Sequence, residues 1–516
     1  MSAWRGPVWA AVDRTPVFDL LVVGGGATGL GVALDAALRG FSVALFESHD
    51  FAGGTSSRAT KLLHGGVRYL AQGNVALVRE ALAERTAVMA IAPHLAQPLP
   101  FVMPSRHWWE TPFYGIGLKL YDLLAGRAGL GATEFLDRAR TLAALPGVNP
   151  DGLRGGVRYW DGQFDDARLA IALARSAEAA GARVLNHAQV TAIAPDGEGH
   201  CVTVRDRLHG AEHTVRARCV VNATGVWVDA LREAAGTPSH MVSPSQGVHV
   251  VVDRAFLGGE HALLVPKTQD GRVLFAVPWL GKLILGTTDT PRQDLAREPE
   301  PFADELAFIL DEASRVLSRP VRREDIRSVW VGLRPLVAPP SDGGGATKGL
   351  SREHTVLVDP NGLVTVTGGK WTTYRAMAED VLDRCFEAGR LPARPGGQSA
   401  RHRLVGAPPS ASVPIHAAPG WHLYGAEAER VRALPGADRH LGMGLCVAMV
   451  RFAARHEYAL TVEDVLARRW RALFLDAAEA ARMAPEVAQV MREEGVAEPR
   501  LDDFLALAQR YAAPGV

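Results

Sequence analysis

The chain has few cysteines and no long apolar run. Its four cysteines, among 516 residues, form no CxxC pair or other metal-ligand spacing. This spacing argues against a zinc site or a disulfide framework and fits a reducing compartment. Residues 1–15 lack the apolar stretch of a secretory signal. No stretch reaches the ~18 uninterrupted apolar residues of a membrane-spanning helix. We therefore expect a cytoplasmic protein that, if it meets a membrane, lies on its surface.

An excess of charge of one sign is also missing. The 56 basic residues balance the 56 acidic ones, so nothing favours a nucleic-acid partner, which a concentrated basic excess would indicate. No EF-hand loop is present, and we predict neither calcium regulation nor any other metal site. The hydrophobic content of 47% and charged content of 22% are those of a globular protein. The length indicates two large domains or about three smaller ones.

The N-terminal part predicts a strand, a tight turn, a helix and a second strand. The apolar run 18–23 ends in three glycines, and residues 28–39 carry aliphatic side chains at helical spacing. Gly40 ends that helix, and the apolar run 42–46 follows and ends at Glu47. Because parallel strands are joined by a helical crossover, this pattern predicts a βαβ unit in an α/β fold.

The turn of this unit carries the pattern Gly24-x-Gly26-x-x-Gly29. Glycine lets the backbone approach a pyrophosphate closely, and the helix N-terminus supplies N–H donors for its charge. Glu47, at the end of the second strand, is placed to accept hydrogen bonds from ribose hydroxyls. The alternative is a glycine turn in an unrelated α/β sheet. The βαβ context favours a dinucleotide site.

Two later strands also end in small residues. The run 219–222 leads into Ala223 and Gly225, and the run 363–366 leads into Gly368 and Gly369. The glycine turn does not distinguish FAD from NAD. If the dinucleotide is FAD, a helix predicted to begin near Thr372 would place its positive end where the reduced flavin carries negative charge. Judged alone, this second turn is equally typical of an ordinary strand-to-helix connection.

The rest of the chain predicts further domains. Several β-type runs between residues 248 and 286 indicate an antiparallel sheet, and residues 424–514 are helical in pattern. We predict a discontinuous cofactor domain (18–95, 151–240 and 355–385), a substrate or cap domain (96–150 and 241–354), a linker (386–420) and a helical C-terminal domain (421–516).

A series of motifs resembles the FAD-dependent glycerol-3-phosphate dehydrogenase family. The longest, residues 54–70, reads GTSSRATKLLHGGVRYL. Ala59 stands where many relatives have serine, which puts only one side-chain hydrogen bond in doubt. The other motifs, in the family's order, are Gly24–Gly29, Asp165–Leu169, Val221–Trp227, Gly286–Asp289, Gly332–Leu336 and Gly368–Arg375. Together they cover about residues 18–380, and the C-terminal region resembles the family's cap less specifically.

The resemblance implies a fold of the glutathione-reductase or D-amino-acid-oxidase type and non-covalent FAD. It also implies that sn-glycerol 3-phosphate is oxidised to dihydroxyacetone phosphate by hydride transfer from C2 to flavin N5. The cofactor residues expected on this basis are Gly24, Gly26, Ala27, Thr28, Gly29, Glu47, Ser56, Ser57, Lys61, His64, Gly65, Gly66, Val190, Ala223, Gly225, Trp227, Asp289, Gly369, Lys370, Trp371, Thr372 and Thr373.

A small dianionic substrate requires converging cations, and arginine suits phosphate because its planar fork binds in a bidentate manner. The family-matched candidates are Arg334 and Arg352, with Lys370 beside the flavin. The alternative for Arg334 is an ion pair at a domain seam, and Lys370 is equally able to cap its turn. All three are nevertheless our candidates for substrate binding, and Arg334 and Lys370 are also our candidates for catalysis.

Oxidation of a secondary alcohol also requires a proton acceptor, and histidine is suited to that role. His249 lies in a β-type run at the position of the family's substrate-domain histidine, and we predict it as a substrate-binding residue and the base. The alternative is a structural histidine. His64 is the weaker candidate because its loop faces the cofactor.

The electron acceptor stays open in the sequence. The family's dehydrogenases are peripheral membrane proteins that reduce quinone, whereas related oxidases use oxygen and release peroxide. Residues 106–109 and 113–119 mix aromatic, aliphatic and basic side chains as an interfacial segment does, although they also fit the core of an inserted region. We predict quinone as the acceptor and contact with the inner face of the cell membrane. A flavin-binding interaction protein without catalysis is a further alternative, and a homodimer is left open.

Overall fold

The computed structural model describes residues 4–66, 74–237, 240–269, 271–338 and 354–512. Its strands are β1 (Phe18–Val23), β2 (Val43–Phe46), β3 (Leu62–Leu63), β4 (Ala96–Ser105), β5 (Glu134–Asp137), β6 (Gly155–Phe164), β7 (Arg183–Leu185), β8 (Ala188–Asp196), β9 (Gly199–Asp206), β10 (Glu212–Asn222), β11 (Val242–Asp253), β12 (Ala262–Val265), β13 (Leu274–Trp279), β14 (Lys282–Gly286), β15 (Thr290–Pro291), β16 (Ser328–Val337), β17 (His354–Val358), β18 (Val364–Gly368), β19 (His440–Gly442) and β20 (Leu445–Cys446).

The α-helices surround these strands and fill the C-terminal part. They are α1 (Arg5–Asp13), α2 (Ala27–Leu38), α3 (Val75–Ile91), α4 (Glu110–Ala125), α5 (Arg138–Ala144), α6 (Asp166–Ala179), α7 (Val228–Ala234), α8 (Ala303–Val316), α9 (Tyr374–Glu387), α10 (Ala428–Arg432), α11 (Val447–His456), α12 (Ala472–Leu475), α13 (Ala477–Glu493) and α14 (Leu501–Ala512).

The first sheet carries the predicted cofactor turn. Its order is β17-β18-β10-β1-β2-β7, and β18, β10, β1, β2 and β7 run parallel. The carboxyl ends of parallel strands meet at one edge of a sheet, so the loops after β1, β10 and β18 lie together there. Helices α2, α6 and α9 pack on one face of this sheet through a shared apolar core.

The second sheet is almost wholly antiparallel. Its order is β15-β11-β14-β13-β12-β4-β6-β3, with β16 paired to β11 and β5 to β6. Helix α8 packs on one face through Leu306 and Ile309. The other face, which carries Trp279 and Trp330, packs against the C-terminal helices. The mixed α/β architecture with a helical C-terminal region confirms the predicted fold class.

Two details differ from the sequence-based expectation. Residues 151–240 were assigned to the cofactor domain without a predicted strand at 155–164, and the ten residues of β6 pair with β4 in the second sheet. The predicted helix at Thr372 begins instead as a 3₁₀ turn, Trp371–Thr373, before α9. Burial along β6 alternates only over residues 157–161, and the buried residues on either side give no sign of which sheet the strand joins.

Candidate active site

The glycine turn after β1 packs too closely against its neighbours for a side chain. Gly24 has a φ of 110°, and a Cβ there would lie 2.5 Å from the carbonyl oxygen of Ala223. A Cβ on Gly29 would lie 2.0 Å from the carbonyl oxygen of Gly24. Both obstacles are backbone atoms, so neither can move aside as a flexible side chain would. The turn therefore keeps the N-terminus of α2 bare, as binding of a pyrophosphate requires.

Two side-chain oxygen atoms accept hydrogen bonds from the backbone of this turn and of the helix that follows it. The hydroxyl of Ser56 accepts a hydrogen bond from the backbone N–H of Ala27 at 2.9 Å, in the first turn of α2. The carboxylate of Glu47 accepts one from Gly25 N–H at 2.7 Å. Thr28 is half-buried on the same first turn. The side chains predicted for phosphate and ribose thus stand on either side of one helix N-terminus.

The loop that carries Ser56 is fixed from two directions. Thr55 donates its hydroxyl hydrogen to the carbonyl of Leu333 on β16 at 2.6 Å. The indole N–H of Trp371 donates to the carbonyl of Ser56 at 2.8 Å. The loop is therefore held between the second sheet, which carries the predicted substrate-binding residue Arg334, and the turn after β18, which carries predicted cofactor-binding residues.

The loops after β10 and β18 complete the edge of the first sheet. Gly225 has a φ of 65°, and a Cβ there would meet no atom within 4 Å, so its backbone faces open space. The ring of Trp227 covers Gly54, where a Cβ would lie 3.1 Å from the ring. After β18, Gly369 has a φ of 69° and Lys370 is half-buried. Thr372 and Thr373 are both buried in the 3₁₀ turn.

Three more predicted cofactor residues lie at positions 64–66. The carbonyl of His64 accepts a hydrogen bond from the Thr372 hydroxyl at 3.5 Å, which ties this segment to the same turn. Gly65 is buried, and a Cβ there would lie 2.2 Å from the hydroxyl of Tyr121. Gly66 has a φ of 79°. Val190 is half-buried on β8 of the first sheet.

The side chains of Lys61 and Ser57, two residues that were predicted to line the flavin, lie in the interior of the protein. The side chain of Lys61 has no exposed surface, and its ammonium group pairs with Asp166 at 2.8 Å. Ser57 is 1% exposed. Both side chains therefore lie behind the surface of the loop.

Arg334 lies on β16 in the centre of a polar group. Its guanidinium donates to the carbonyls of Gln246 at 3.1 Å and Thr288 at 2.9 Å. It also pairs with Asp289 at 3.4 Å. A Cβ on Gly247 would lie 2.2 Å from the guanidinium, so glycine at that position leaves the room it occupies. Asp289, predicted to contact the cofactor, is thus bonded to the principal substrate-binding candidate.

His249 lies on β11, which pairs with β16. Its ring stacks on Trp330 with centroids 4.0 Å apart, and its Nε2 is 2.9 Å from the Thr60 hydroxyl. Burial, together with the charges of Lys61 and Arg334, holds the pKa of His249 well below its usual value. The imidazole is therefore neutral near pH 7, which is the protonation state of a proton acceptor.

The cofactor-binding loop crosses the two strands that carry these residues. Thr55 bonds to β16 through the carbonyl of Leu333, and Thr60 bonds to His249 on β11. A Cβ on Gly332 would lie 2.7 Å from the carbonyl of Arg58. The structure therefore brings the predicted cofactor and substrate groups to one place, with Arg334 and His249 on neighbouring strands.

Arg352 and the end of the longest motif, residues 67–70, lie outside the described residues. Four side chains at the site were not predicted from the sequence: Thr60, Trp330, Asp166 and Arg471. Thr60 and Asp166 belong to motifs that were recognised, so the signal for them was present. Arg471 lies in the C-terminal region, and nothing in its local sequence indicates a contact with the loop.

A buried group of Asp50, His187 and Asp464 has the residue types of a metal site. The oxygens of Asp50 and Asp464 are bonded to Arg468, and Asp50 is also bonded to Arg469. Guanidinium groups thus already neutralise these carboxylates, and an additional cation would be repelled. The arrangement is an ion-pair network between the first sheet and the C-terminal region.

Comparison with known proteins identifies the family of the chain. Residues 19–381 match the FAD dependent oxidoreductase family, and residues 410–496 match the C-terminal domain of alpha-glycerophosphate oxidase. A mitochondrial glycerol-3-phosphate dehydrogenase of Arabidopsis thaliana is 39% identical, over 96% of this chain and 85% of that protein. The chain belongs to the FAD-dependent glycerol-3-phosphate dehydrogenases.

Further relatives agree with this membership. The mitochondrial glycerol-3-phosphate dehydrogenase of Homo sapiens is 38% identical, over 94% of this chain and 71% of that protein. The crystal structure of glycerol-3-phosphate dehydrogenase from Bacillus halodurans, complexed with FAD, has a TM-score of 0.78 at 28% identity and covers 99% of this chain and 98% of that one. FAD is accordingly the cofactor of this family member, and the bare glycine turn with Ser56 and Glu47 fits its pyrophosphate and ribose.

Proposed function

We propose that this enzyme oxidises sn-glycerol 3-phosphate to dihydroxyacetone phosphate and passes the electrons to quinone. The observation that carries the proposal is the crossing of the cofactor-binding loop over β11 and β16. This crossing puts a guanidinium and a neutral imidazole beside the cofactor-binding loop. The names of the relatives support the same substrate.

Each residue has a role that follows from its chemistry. Arg334 binds the phosphate, because a guanidinium offers paired N–H donors to two phosphate oxygens. Lys370 and Arg352 are the further cationic candidates. Bound FAD supplies a two-electron acceptor for the hydride that leaves C2. The proton of the O2 hydroxyl passes to His249, whose neutral ring is hydrogen-bonded through Nε2 to Thr60.

Flavin absorbance tests this function. With glycerol 3-phosphate added anaerobically, we expect the oxidised flavin bands to bleach, because the substrate hydride reduces the cofactor. A quinone analogue added next should restore the bands faster than air does. Glycerol without phosphate is the control and should leave the bands unchanged at the same concentration. Flavin that stays oxidised with glycerol 3-phosphate would contradict the proposal.

Oxygen as the acceptor is the second candidate. The match of residues 410–496 to an oxidase C-terminal domain favours it. It keeps the same substrate and the same site residues. Rapid reoxidation in air with one peroxide released per substrate oxidised, and no faster recovery with the quinone analogue, would decide for the oxidase.

As part of the proposed reaction with quinone, the enzyme attaches to the inner face of the cell membrane through α4. This helix exposes a stripe of large apolar side chains, with Phe113 at 66%, Ile116 at 69% and Leu123 at 75%. Such spacing puts them on one helix face, as in helices that lie in a membrane interface. Among the helices of the described residues, none combines the length and hydropathy of a membrane-spanning segment.

Replacing Phe113, Ile116 and Leu123 together by glutamate tests this attachment. We expect at least tenfold less protein to sediment with vesicles made from phosphatidylethanolamine and phosphatidylglycerol, because the apolar area that enters the interface is lost. Turnover with a soluble electron acceptor should stay within twofold of the parent. The control is Leu357→Glu on β17, another exposed apolar position. Equal sedimentation of the parent and the triple variant would reject α4 as the attachment site.

A further inference from the structure

Four charged side chains form a cluster with no exposed surface behind the cofactor-binding loop. Lys61 pairs with Asp166 at 2.8 Å, and Arg471 pairs with Asp166 at 3.2 Å and Asp165 at 3.8 Å. Asp165 also accepts the backbone N–H of Arg168 at 3.2 Å and so begins α6. The two positive and two negative groups balance when all are charged. We call these four residues the buried cluster.

Both cations of the buried cluster bond to the same backbone oxygen. Lys61 donates to the carbonyl of Ser57 at 2.7 Å, and Arg471 donates to it at 2.7 Å as well. Ser57 directly follows Ser56, whose hydroxyl accepts from the first turn of α2. The two bonds to this carbonyl therefore add to those of Thr55 and Trp371 in fixing the segment that presents Ser56 to the cofactor phosphates.

Aromatic rings surround the two cations. The Lys61 ammonium lies 4.5 Å from the centroid of Trp330, and the Arg471 guanidinium lies 4.1 Å from that of Phe474. These contacts also extend to the predicted substrate-binding residues, because the ring of Trp330 stacks on His249. Water is excluded from such a cluster, so its charges have no other partner to replace a lost one.

We propose that Arg471 is a positioning residue that holds the Ser56–Ser57 segment in its FAD-binding conformation through the Ser57 carbonyl. Arg471 comes from the C-terminal region, far from the cofactor motifs in sequence. It therefore gives that region a part in cofactor binding. The inference goes beyond the proposed function, because it concerns FAD binding and holds whichever electron acceptor the enzyme uses.

The charge balance of the buried cluster indicates why the position needs arginine. Without Arg471, one lysine faces two carboxylates, and the Ser57 carbonyl loses one of its two donors. Burial and the charge of Arg471 together lower the pKa of Lys61 to about 7. Removal of Arg471 therefore raises the pKa of Lys61 and draws its ammonium toward the carboxylates. The carbonyl of Ser57 is then held less firmly.

The test compares Arg471→Met with a matched change at the same domain seam, Arg175→Met. Arg175 on α6 pairs with Glu427 of the C-terminal region at 2.8 Å and does not contact the loop. For Arg471→Met we expect the dissociation constant of FAD to rise at least tenfold more than for Arg175→Met. We also expect a shift in the absorption bands or the midpoint potential of the bound flavin, which Arg175→Met should not produce.

A second variant keeps the test decisive if Arg471→Met does not fold. Arg471→Lys retains the charge but has a single ammonium group, which cannot reproduce both the Ser57 and Asp166 bonds of a guanidinium. We expect it to bind FAD with an affinity between those of the parent and Arg471→Met, or at least threefold more weakly than the parent if only it folds.

Parental FAD affinity in Arg471→Lys together with losses no larger in Arg471→Met than in Arg175→Met would overturn the proposal. With only Arg471→Lys folded, parental affinity and an unchanged flavin spectrum would overturn it. Because FAD binding is measured without substrate, these outcomes do not depend on the proposed substrate or acceptor.

Discussion

Arg334→Ala is expected to lower kcat/KM for glycerol 3-phosphate by a factor of roughly 30 or more. Truncating one member of a buried charged pair costs roughly 2–5 kcal/mol, and about 1.4 kcal/mol corresponds to a factor of ten. The loss includes the phosphate contact and also the bonds of the guanidinium to Gln246, Thr288 and Asp289, which shape the site. Steady-state kinetics of the FAD-saturated variant measures the change.

The control for Arg334→Ala is Arg327→Ala. Arg327 immediately precedes β16, and its guanidinium bonds to Asp253, the last residue of β11. The side chain of Arg327 is 41% exposed. Its removal should leave kcat/KM within twofold, because a partly exposed ion pair contributes little. We further expect Arg334→Lys to recover only part of the activity, since an ammonium cannot form a bidentate contact. If Arg334→Ala retains parental kcat/KM, Arg334 does not bind the phosphate.

Gly29→Ala is expected to yield protein without bound FAD. The added Cβ would lie 2.0 Å from the carbonyl oxygen of Gly24, a separation that no relaxation of a side chain can relieve. Either α2 or the glycine turn must shift, and the pyrophosphate then loses the close approach to the helix N-terminus. The ratio of flavin absorbance to protein absorbance in the purified variant, with and without added FAD, measures the loss.

Gly117→Ala serves as the matched glycine substitution. Gly117 lies inside α4, where a Cβ meets no atom within 4 Å. Alanine at a helix interior stabilises by roughly 0.5–1 kcal/mol relative to glycine, so this variant should melt at the parental temperature or above and remain yellow. Full FAD content in Gly29→Ala would show that the tight turn is not required for cofactor binding.

The parts of the site that the sequence predicted are those determined locally. The glycine turn, Glu47 and the helix α2 lie within one βαβ unit. The glycines of this turn can be recognised in the sequence because a turn packed this closely has no room for a Cβ. Arg334 was found through a motif and His249 through its match to the family's histidine in a β-type run, and the structure places them on paired strands. Their local surroundings were not predictable, because the ring that stacks on His249 belongs to the neighbouring strand.

The parts that were missed depend on contacts between distant segments. Strand β6 has a burial pattern compatible with either sheet, and only its pairing with β4 decides where it lies. Lys61 carries a charge that normally indicates exposure, yet Asp166, which also pairs with Arg471, compensates that charge in the interior. A motif can show that such a lysine matters, but the position of its partners depends on how the domains pack.

The bond between Arg471 and Ser57 also affects the order of events during synthesis. The two residues are 414 positions apart. At about 5–20 residues per second, a ribosome makes Arg471 roughly 20–80 s after Ser57. Until Arg471 has been made and has docked, the nascent cofactor domain lacks one of the two donors to the Ser57 carbonyl, even after β18 and Trp371 are in place. Stable capture of FAD is therefore expected only after the C-terminal helices have been released and docked, so cofactor loading would report the docking of that region.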